Sequence, residues 1–311
     1  MQKISIVIPV WNEQETVPLF LKTMNEIHEN QLKDMAFEYW FIDDGSTDDT
    51  LRVLQEEQEK NPDEVHYVSF SRNFGKEAGL YAGLENATGD YVAVMDVDLQ
   101  DPPELLPEML AGVQSGEWDA VGTRRVTRAG EPPIRTFFSK LFYKLINKIS
   151  DTHIVEGARD YRVMSRQMVN ALLSMTEYNR FSKGMFSWVG FRQKYLEFEN
   201  RDRVAGTTSW SFWSLFKYSI EGIVAFSQVP LAFVSVLGLL SFFAAFIGVI
   251  LIVIRALAVA GSSVAGWPSL VVIVLFMGGV QLLSIGIVGR YISSIYLEVK
   301  HRPIYISREK K

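Results

Sequence analysis

The feature that most constrains this chain is an uncharged apolar run over residues 229–254. It is longer than the ~20 residues that a helix needs to cross a bilayer core. A second uncharged run follows at 268–289, after a segment rich in glycine and serine. The sequence therefore predicts a transmembrane hairpin over residues 229–291, with spans at about 229–254 and 268–290. The alternative is a pair of buried helices in a soluble core, but such helices rarely run so long without a polar face.

The flanking charges predict the orientation of this hairpin. Basic residues close to the ends of membrane spans mark the cytoplasmic side. Arg255 follows the first span, whereas the C-terminal tail contains five basic residues: Lys300, Arg302, Arg308, Lys310 and Lys311. Both termini are therefore expected in the cytoplasm. The N-terminal residues MQKISIVIPV lack a long apolar signal region. The chain has no cysteine, which excludes disulfides and thiolate metal sites.

The residues before the hairpin alternate between short apolar runs and helix-like stretches. Alternation of this kind predicts an α/β fold with a mainly parallel sheet and helices on both faces. Ligands of such sheets bind at the carboxyl ends of the strands. The predicted strands are 4–10, 38–44, 65–70, 91–96 and 118–123, and the predicted helices are about 15–30, 50–60, 76–87 and 103–114.

Polar residues follow the first four predicted strands, so they converge on one edge of the sheet. The chain contains neither GxGxxG after its first strand nor GxxxxGK[ST], which are the signatures of dinucleotide and P-loop sites. The fourth strand runs into Asp96, Asp98 and Gln100. On an extended backbone, residues two apart project to the same side. Two close carboxylates favour a divalent cation, and an all-oxygen set suits Mg²⁺ or Mn²⁺. The alternative is that these acids cap the next helix, which suits Asp101 better than Asp96.

Four motifs together resemble glycosyltransferase family 2, and more narrowly the polyprenyl-phosphate (undecaprenyl- or dolichyl-phosphate) glycosyltransferases. They are IVIPVWNEQE, IDDGSTDDT, SRNFGKEAGLYAGL and MDVDLQDPPE, in this order. The similarity covers about residues 4–210, and the two spans match bacterial members that glucosylate the lipid carrier. The resemblance implies a cytoplasmic catalytic domain of the GT-A type over 1–208. An amphipathic segment (209–228), the hairpin (229–291) and a basic cytoplasmic tail (292–311) would follow.

The resemblance also assigns roles to individual residues. The nucleotide sugar would be bound by Pro9, Asn12, Glu13, Asp43, Asp44 and Asp96. Asp96, Asp98 and Gln100 would bind the metal, with Asp98 also counted as catalytic. Two simpler roles stay open: Glu13 as an acid at a helix N-terminus, and Asp43 as a buried partner for the Gly45-Ser46-Thr47 turn.

The acceptor is predicted from the hairpin, which argues for a lipid. The resemblance implies inverting transfer from a nucleotide diphosphate. A lipid phosphate, with a second pKa near ~6, is largely dianionic at neutral pH and needs little help from a base. In the stretch VEGARDYRVMSR, Asp160 matches the acid beside the acceptor. The alternative pairs it with Arg159 or Arg162 in a surface turn. Candidates for the lipid phosphate or diphosphate are Arg124, Arg125, Arg201 and Arg203, unless they form an ordinary basic surface.

Two stretches are predicted to lie at the membrane surface. In residues 136–149, one helical face is apolar and lysines repeat on the other. The apolar residues are Phe138, Leu141, Phe142, Leu145 and Ile149. Residues 209–223 have the aromatic density typical of the headgroup region. Either stretch could instead pack on the soluble core.

The expected enzyme transfers a hexose, most readily glucose, from a UDP-sugar to undecaprenyl phosphate for modification of cell-envelope glycans. N-acetylglucosamine, galactose, or mannose from a GDP donor are the alternatives, as is a non-enzymatic nucleotide-binding scaffold. A processive polysaccharide synthase is disfavoured because QxxRW is missing and two spans make a poor channel. The expected location is the bacterial plasma membrane. Membrane lipids and further copies of the chain are expected partners, and nucleic acid is not.

Overall fold

The computed structural model describes residues 1–126, 133–150, 152–199, 212–258 and 266–311. Within them, the strands are β1 (Gln2–Val10), β2 (Met35–Asp43), β3 (Val65–Phe70), β4 (Tyr91–Val94), β5 (Ala120–Arg125), β6 (Ala158–Ser165), β7 (Gln193–Phe198) and β8 (Ser307–Lys310). The helices are α1 (Thr16–Gln31), α2 (Thr50–Lys60), α3 (Lys76–Asn86), α4 (Leu106–Gln114), α5 (Pro133–Ile149), α6 (Arg166–Ser174), α7 (Ser182–Trp188), α8 (Phe212–Phe226), α9 (Val229–Ala258) and α10 (Trp267–Val299).

The eight strands of the described residues form one sheet in the order β7-β5-β6-β4-β1-β2-β3-β8. β1 lies between β4 and β2 and is parallel to both, and β2 is parallel to β3. β6 lies antiparallel between β4 and β5, so the parallel order is broken at this point. The predicted α/β fold with a mainly parallel sheet is confirmed.

Side chains of β1 alternate between the two faces of the sheet. Ile4, Ile6 and Ile8 belong to the core under α1 and α4, whereas Val7 belongs to the core under α3. This alternation is the period-2 pattern of a strand covered on both faces. α3 packs very closely on β1, since a Cβ atom on Gly83 would lie 2.1 Å from Cγ1 of Val7. The sheet therefore fixes the position of α3, whose first residue enters the site described below.

α9 and α10 are long enough and apolar enough to cross a membrane. The candidate spans are Val229–Ile252 and Leu270–Val299, with mean hydropathy of 2.6 and 2.5. No residue of either candidate span is buried inside the protein, unlike the core helices of a soluble fold. Large apolar side chains are exposed on both helices; Leu282, for example, is 73% exposed. The second span was predicted to end near residue 290, but the apolar helix continues to Val299.

The chain returns from α10 to the α/β domain. Glu298 accepts a hydrogen bond from the backbone N–H of Tyr178 at 3.0 Å. β8 then pairs antiparallel with β3 at the edge of the sheet. Part of the segment expected as a basic tail is thus a strand, which the sequence did not predict because its residues are charged and its partner is distant in the chain.

α5 includes the predicted interfacial helix. Phe138, Leu141 and Leu145 are exposed along one side. Tyr143 and Ile146 are buried on the other side, in a small core shared with Phe181. The helix therefore packs on the domain through one face and presents a second apolar stripe outward.

Candidate active site

The loops after β1 and β2 are tied together at the carboxyl edge of the sheet. Asn12 has a positive φ of 57°, and its side-chain oxygen accepts a hydrogen bond from the backbone N–H of Thr47 at 2.8 Å. Its own N–H donates to the hydroxyl oxygen of Ser46 at 2.9 Å. Two predicted site motifs therefore meet through Asn12.

Glu13 lies at the start of α1. Its carboxylate accepts a hydrogen bond of 2.5 Å from the hydroxyl of Thr16, the first residue of that helix. Its backbone N–H donates to the hydroxyl oxygen of Thr50 at 2.8 Å. Pro9, near the end of β1, lies against α3: a Cβ atom added to Gly79 of that helix would lie 3.3 Å from the Cβ of Pro9. The simpler role considered for Glu13, an acid at a helix N-terminus, matches these contacts, and a contact with the nucleotide stays a prediction.

Asp43 is buried, and both of its carboxylate oxygens are engaged. One accepts from the backbone N–H of Ser46 at 2.9 Å and the other from the hydroxyl of Ser69 at 2.7 Å. These contacts match the alternative in which Asp43 stabilises the turn at Gly45. That turn needs glycine, because φ is +67° and a Cβ would lie 2.6 Å from the carbonyl carbon of Arg72.

Asp44 orders the loop that leads into α3. Its carboxylate accepts hydrogen bonds from the backbone N–H groups of Phe74, at 2.6 Å, and Gly75, at 2.9 Å. Burial raises the pKa of Asp44 to about 6, although these two amides act in the opposite direction. Asp44 is thus built into the scaffold of the site, and its predicted contact with the nucleotide stays a prediction.

We expected the acidic motif after β4 to continue as extended backbone, but the structure shows a turn here. β4 ends at Val94, Val97 and Asp98 lie in a turn, and Leu99 has a positive φ of 56°. Asp98 is buried, and one of its oxygens accepts from the backbone N–H of Gln100 at 3.2 Å. The chain therefore turns back at this point, so the strand rule for residues two apart does not apply to Asp96 and Asp98.

Lys76, which was not singled out from the sequence, lies at the centre of the site. Its ammonium nitrogen is 2.7 Å from a carboxylate oxygen of Asp96 and 2.7 Å from one of Asp160. Burial lowers the pKa of Lys76, but the two carboxylates outweigh it and raise the pKa above its usual value. A lysine at the first residue of a helix is unfavourable for the helix dipole, and this was the available signal that acids must lie nearby.

Asp160 lies in β6, not in a surface turn. Its carboxylate pairs with Lys76, whereas Arg162 donates to the backbone carbonyls of Asp160, at 3.3 Å, and of Arg159, at 3.0 Å. The proposed pairing with Arg159 or Arg162 in a turn is therefore wrong. Burial raises the pKa of Asp160, but the charges of Lys76 and Lys183 hold it well below its usual range. Within the described residues, Oδ1 of Asp160 is buried without a hydrogen-bond partner.

Arg159 and Asp101 form a second ion pair beside this cluster. Nε of Arg159 is 2.8 Å from Oδ1 of Asp101, while Oδ2 of Asp101 is buried and unpartnered in the described part of the chain. Burial raises the pKa of Asp101 to about 6, against the charge of Arg159. The contact does not make Asp101 a helix cap; it ties the loop after β4 to β6, the strand of Asp160.

The predicted phosphate-binding arginines are only partly described. Arg124 pairs with Glu197 of the neighbouring strand β7 at 3.0 Å, and both side chains are exposed. The backbone N–H of Arg125 donates to the carbonyl of Gly157 at 3.0 Å. Arg201 and Arg203, together with residues 209–211 ahead of α8, lie outside the described residues. A role in phosphate binding stays a prediction for all four arginines.

The acids after β4 can be tested against the needs of a divalent cation. Within the described ranges, no three acidic or histidine side chains converge closely enough to form a complete metal site. Mg²⁺ typically uses one or two carboxylates and completes its shell with substrate phosphates and water. Asp96, Asp98 and the amide of Gln100 are oxygen donors of the right kind on one turn. The residues present therefore fit such an ion when it arrives with a diphosphate.

Comparison with known proteins identifies the class of this fold and site. The model of the family described as "Glycosyl transferase family 2" matches residues 5–173. The chain belongs to glycosyl transferase family 2, and its fold is of the GT-A type. It is therefore an enzyme, a glycosyltransferase, and not the non-catalytic scaffold considered from the sequence.

The similarity to known proteins extends over the whole chain, including the two apolar helices. The bactoprenol glucosyl transferase of Shigella phage SfV is 43% identical over 309 residues, which cover 99% of both chains. A putative glycosyltransferase of Bacillus subtilis is 44% identical across 98% of this chain and 91% of its own. Among solved structures, glucosyl-3-phosphoglycerate synthase from Mycobacterium tuberculosis in complex with Mn²⁺ and UDP-glucose has a TM-score of 0.47 and 19% identity, covering 72% of this chain and 77% of its own.

Proposed function

We propose that this glycosyltransferase transfers glucose from UDP-glucose to a membrane-embedded polyprenyl phosphate, undecaprenyl phosphate in bacteria, with inversion at the anomeric carbon. The observation that carries the proposal is the full-length similarity to a bactoprenol glucosyl transferase, at 43% identity over 99% of both chains. This similarity includes the two apolar helices as well as the catalytic domain. Glucose is favoured over the other hexoses for the same reason.

The acceptor oxygen is a phosphate, and this limits the chemistry that the protein must supply. A phosphate monoester carries most of two negative charges at neutral pH, so it is already a nucleophile. Asp160 keeps its charge because of Lys76 and offers one oxygen without a partner in the described residues. We assign it to the positioning of the acceptor and to the acceptance of any remaining proton. Alignment of the two reactants then supplies much of the rate acceleration.

The donor diphosphate is assigned to the edge formed by the loops after β1, β2 and β4. Asp96, Asp98 and Gln100 would hold a Mg²⁺ or Mn²⁺ ion here. When bound, such an ion neutralises the charge that develops on the leaving diphosphate. Asp44 keeps the approach to α3 in place through the amides of Phe74 and Gly75. The nucleotide would lie along the loop that Asn12 ties to Thr47.

The membrane side of the molecule is assigned to α5, α8, α9 and α10. The exposed stripe of Phe138, Leu141 and Leu145 suits insertion at the headgroup level. The hydroxyl of Ser227, just after α8, donates to the carbonyl of Ile149 at 2.6 Å, so the ends of α5 and α8 meet. A lipid headgroup at this surface would lie close to the domain that holds the donor. We place the protein in the plasma membrane with both termini in the cytoplasm, and a homo-oligomer stays a prediction.

The deciding experiment measures transfer by the full chain in detergent or nanodiscs. Radiolabelled UDP-glucose is supplied with and without undecaprenyl phosphate, and the lipid product is extracted and analysed for its anomeric configuration. Label should enter the lipid fraction only when the lipid phosphate is present. Release of UDP that is independent of the lipid would overturn the proposed acceptor.

A donor panel tests the choice of sugar with the same lipid. UDP-N-acetylglucosamine, UDP-galactose and GDP-mannose are compared with UDP-glucose at equal concentration. The highest kcat/KM is expected for UDP-glucose, and a higher value for another donor would replace glucose while leaving the acceptor assignment intact.

A further inference from the structure

Lys76 joins two acids that have different tasks in the proposed function. Asp96 belongs to the turn assigned to the metal and the donor, and Asp160 belongs to the strand assigned to the acceptor. The ammonium group lies 2.7 Å from both carboxylates. The two halves of the proposed reaction therefore share one cation.

The backbone that carries Lys76 is held from two sides. On one side, Asp44 accepts hydrogen bonds from the N–H groups of Phe74 and Gly75, the residues just before Lys76. On the other side, Glu77 accepts from the backbone N–H of Ser182 at 3.0 Å and from the hydroxyl of Tyr218 at 2.8 Å. The start of α3 cannot shift easily, so any rearrangement at this point is confined to the flexible lysine side chain.

The charge of Lys76 is unusual for its place in the helix. It stands at the first residue of α3, at the positive end of the helix dipole. It is only partly exposed, and the charged groups nearest to it are the two carboxylates it contacts. A cation in such a position is stabilised by the acids around it. A divalent ion arriving at Asp96 would therefore compete with the ammonium group for the same carboxylate.

We propose that Lys76 is a positioning residue: it occupies Asp96 until the metal and the donor bind, and then pairs with Asp160 alone. This inference rests on the proposed function. No covalent bond forms or breaks in the exchange; only the ion pair of Lys76 with Asp96 is given up. Lys76 then holds one oxygen of Asp160, and the other oxygen, Oδ1, faces the acceptor. Donor binding thereby prepares the acceptor side.

The first test measures binding of Mn²⁺ alone to the full-length protein in detergent, by titration followed with electron paramagnetic resonance. Lys76→Met removes the competitor, so Mn²⁺ should bind about tenfold more tightly, as expected for loss of an adjacent like charge. The same variant should lose most of its kcat because Asp160 is no longer held, while KM for UDP-glucose, measured at saturating Mn²⁺, changes little. Lys76→Arg should restore part of the kcat. Lys60→Met, at an exposed lysine in the last turn of α2, is the matched control and should leave both values unchanged.

A double-mutant cycle separates competition from simple electrostatics. Asp160→Asn leaves Lys76 with Asp96 as its one carboxylate contact, so Mn²⁺ should bind more weakly than to the unaltered chain. In the Lys76→Met background, the same change should have less than half of that effect, because the competitor is gone. Equal effects in both backgrounds would overturn the proposal. An unchanged Mn²⁺ affinity in Lys76→Met would overturn it as well.

The outcome also distinguishes this inference from the proposed function. If the unaltered chain glucosylates the lipid phosphate but Mn²⁺ affinity does not respond to Lys76, only the role of Lys76 fails. If the unaltered chain neither binds Mn²⁺ nor transfers glucose, the proposed function fails and this inference with it. Should Lys76→Met not fold, Lys76→Gln and the Asp160→Asn measurement carry the same test.

Discussion

Glu77 accepts a hydrogen bond of 2.8 Å from the hydroxyl of Tyr218. Glu77 is the residue next to Lys76 at the start of α3, and Tyr218 lies in α8, the helix that leads into the first apolar span. Burial raises the pKa of Glu77, although its hydrogen bonds from Ser182 and Tyr218 oppose the shift. This contact thus connects the centre of the candidate site with the helix that precedes the first candidate membrane span.

Removal of the Tyr218 hydroxyl should weaken this connection. In Tyr218→Phe, the carboxylate of Glu77 keeps its hydrogen bonds from Ser182 but loses the one from Tyr218, and it remains buried. A hydrogen bond to a charged group contributes about 1.5–3 kcal/mol, so the apparent melting temperature of the protein in detergent should fall by several degrees. Tyr296→Phe, at an exposed tyrosine of α10, serves as the control. Equal melting temperatures for the two variants would show that the contact contributes nothing.

Asp98→Asn tests the acids after β4. The change keeps the size of the side chain and an oxygen that can accept from Gln100, so the chain should fold and insert as before. It removes a charge assigned to the metal, and transfer of glucose should fall by at least about 100-fold. Incubation with a chelator should have the same effect on the unaltered chain, reversed by Mg²⁺ or Mn²⁺. Full activity after chelation would remove the metal from the mechanism.

Asp160→Asn tests the acid on the acceptor side. The variant loses the charge that pairs with Lys76, and its turnover should fall by about 100-fold or more, the usual range for a residue that accepts or orients a proton. At saturating Mn²⁺, binding of UDP-glucose should be nearly unaffected, because Asp160 does not belong to the turn after β4. Turnover is measured at saturating donor and lipid. A normal kcat would reduce Asp160 to a structural partner of Lys76.

The sequence was informative where local pattern determines structure. Apolar runs predicted the ends of β1, β2, β4 and β5 to within a few residues, and they predicted both ends of β3 without error. The strands β6, β7 and β8 were missed because they contain charged residues, as in SREK. Their pairing depends on partners far away in the chain, so no local pattern indicates it.

The same limit applies to the site. The resemblance assigned Asp96 to the metal and Asp160 to the acceptor, but nothing in the spacing indicates that Lys76 lies between them. That ion pair joins residues from β6 and from the start of α3, and it exists only once the sheet has formed. The turn at Leu99 was missed for a different reason, since a positive φ at leucine is rare and no residue type predicts it.

Removal of residues 307–311 should destabilise the catalytic domain. β8 covers the edge of β3, and the backbones of Tyr67 and Lys311 exchange hydrogen bonds of 2.9 and 3.0 Å. Glu309 also accepts a hydrogen bond from the hydroxyl of Tyr67. The truncated chain leaves β3 as an exposed edge, so it should melt at a lower temperature and aggregate during size-exclusion chromatography. Arg308→Ala, at an exposed residue of β8, should behave like the unaltered chain. A truncated chain that remains monodisperse with an unchanged melting temperature would contradict this role.

Glu38 should make stability depend on pH in the acid range. It is buried on β2 and accepts hydrogen bonds from Lys3, Ser5 and Thr88. Burial alone would raise its pKa, but these bonds outweigh burial and lower the pKa to about 2. Because the folded pKa lies below the unfolded one, this stabilisation is present above about pH 4.5 and is lost as the pH falls toward 2.

Replacement of Glu38 by glutamine tests this dependence. Glu38→Gln should lose about 3 kcal/mol of unfolding free energy at pH 7, the energy equivalent of a pKa shift of this size. Between pH 5 and pH 3, its melting temperature should fall less than that of the unaltered chain. Melting of the full chain in detergent is followed by intrinsic fluorescence across that range. Glu26→Gln, on the exposed face of α1, is the control and should keep the pH dependence of the unaltered chain. Parallel curves for Glu38→Gln and the unaltered chain would show that the acid-range loss of stability arises at other carboxylates.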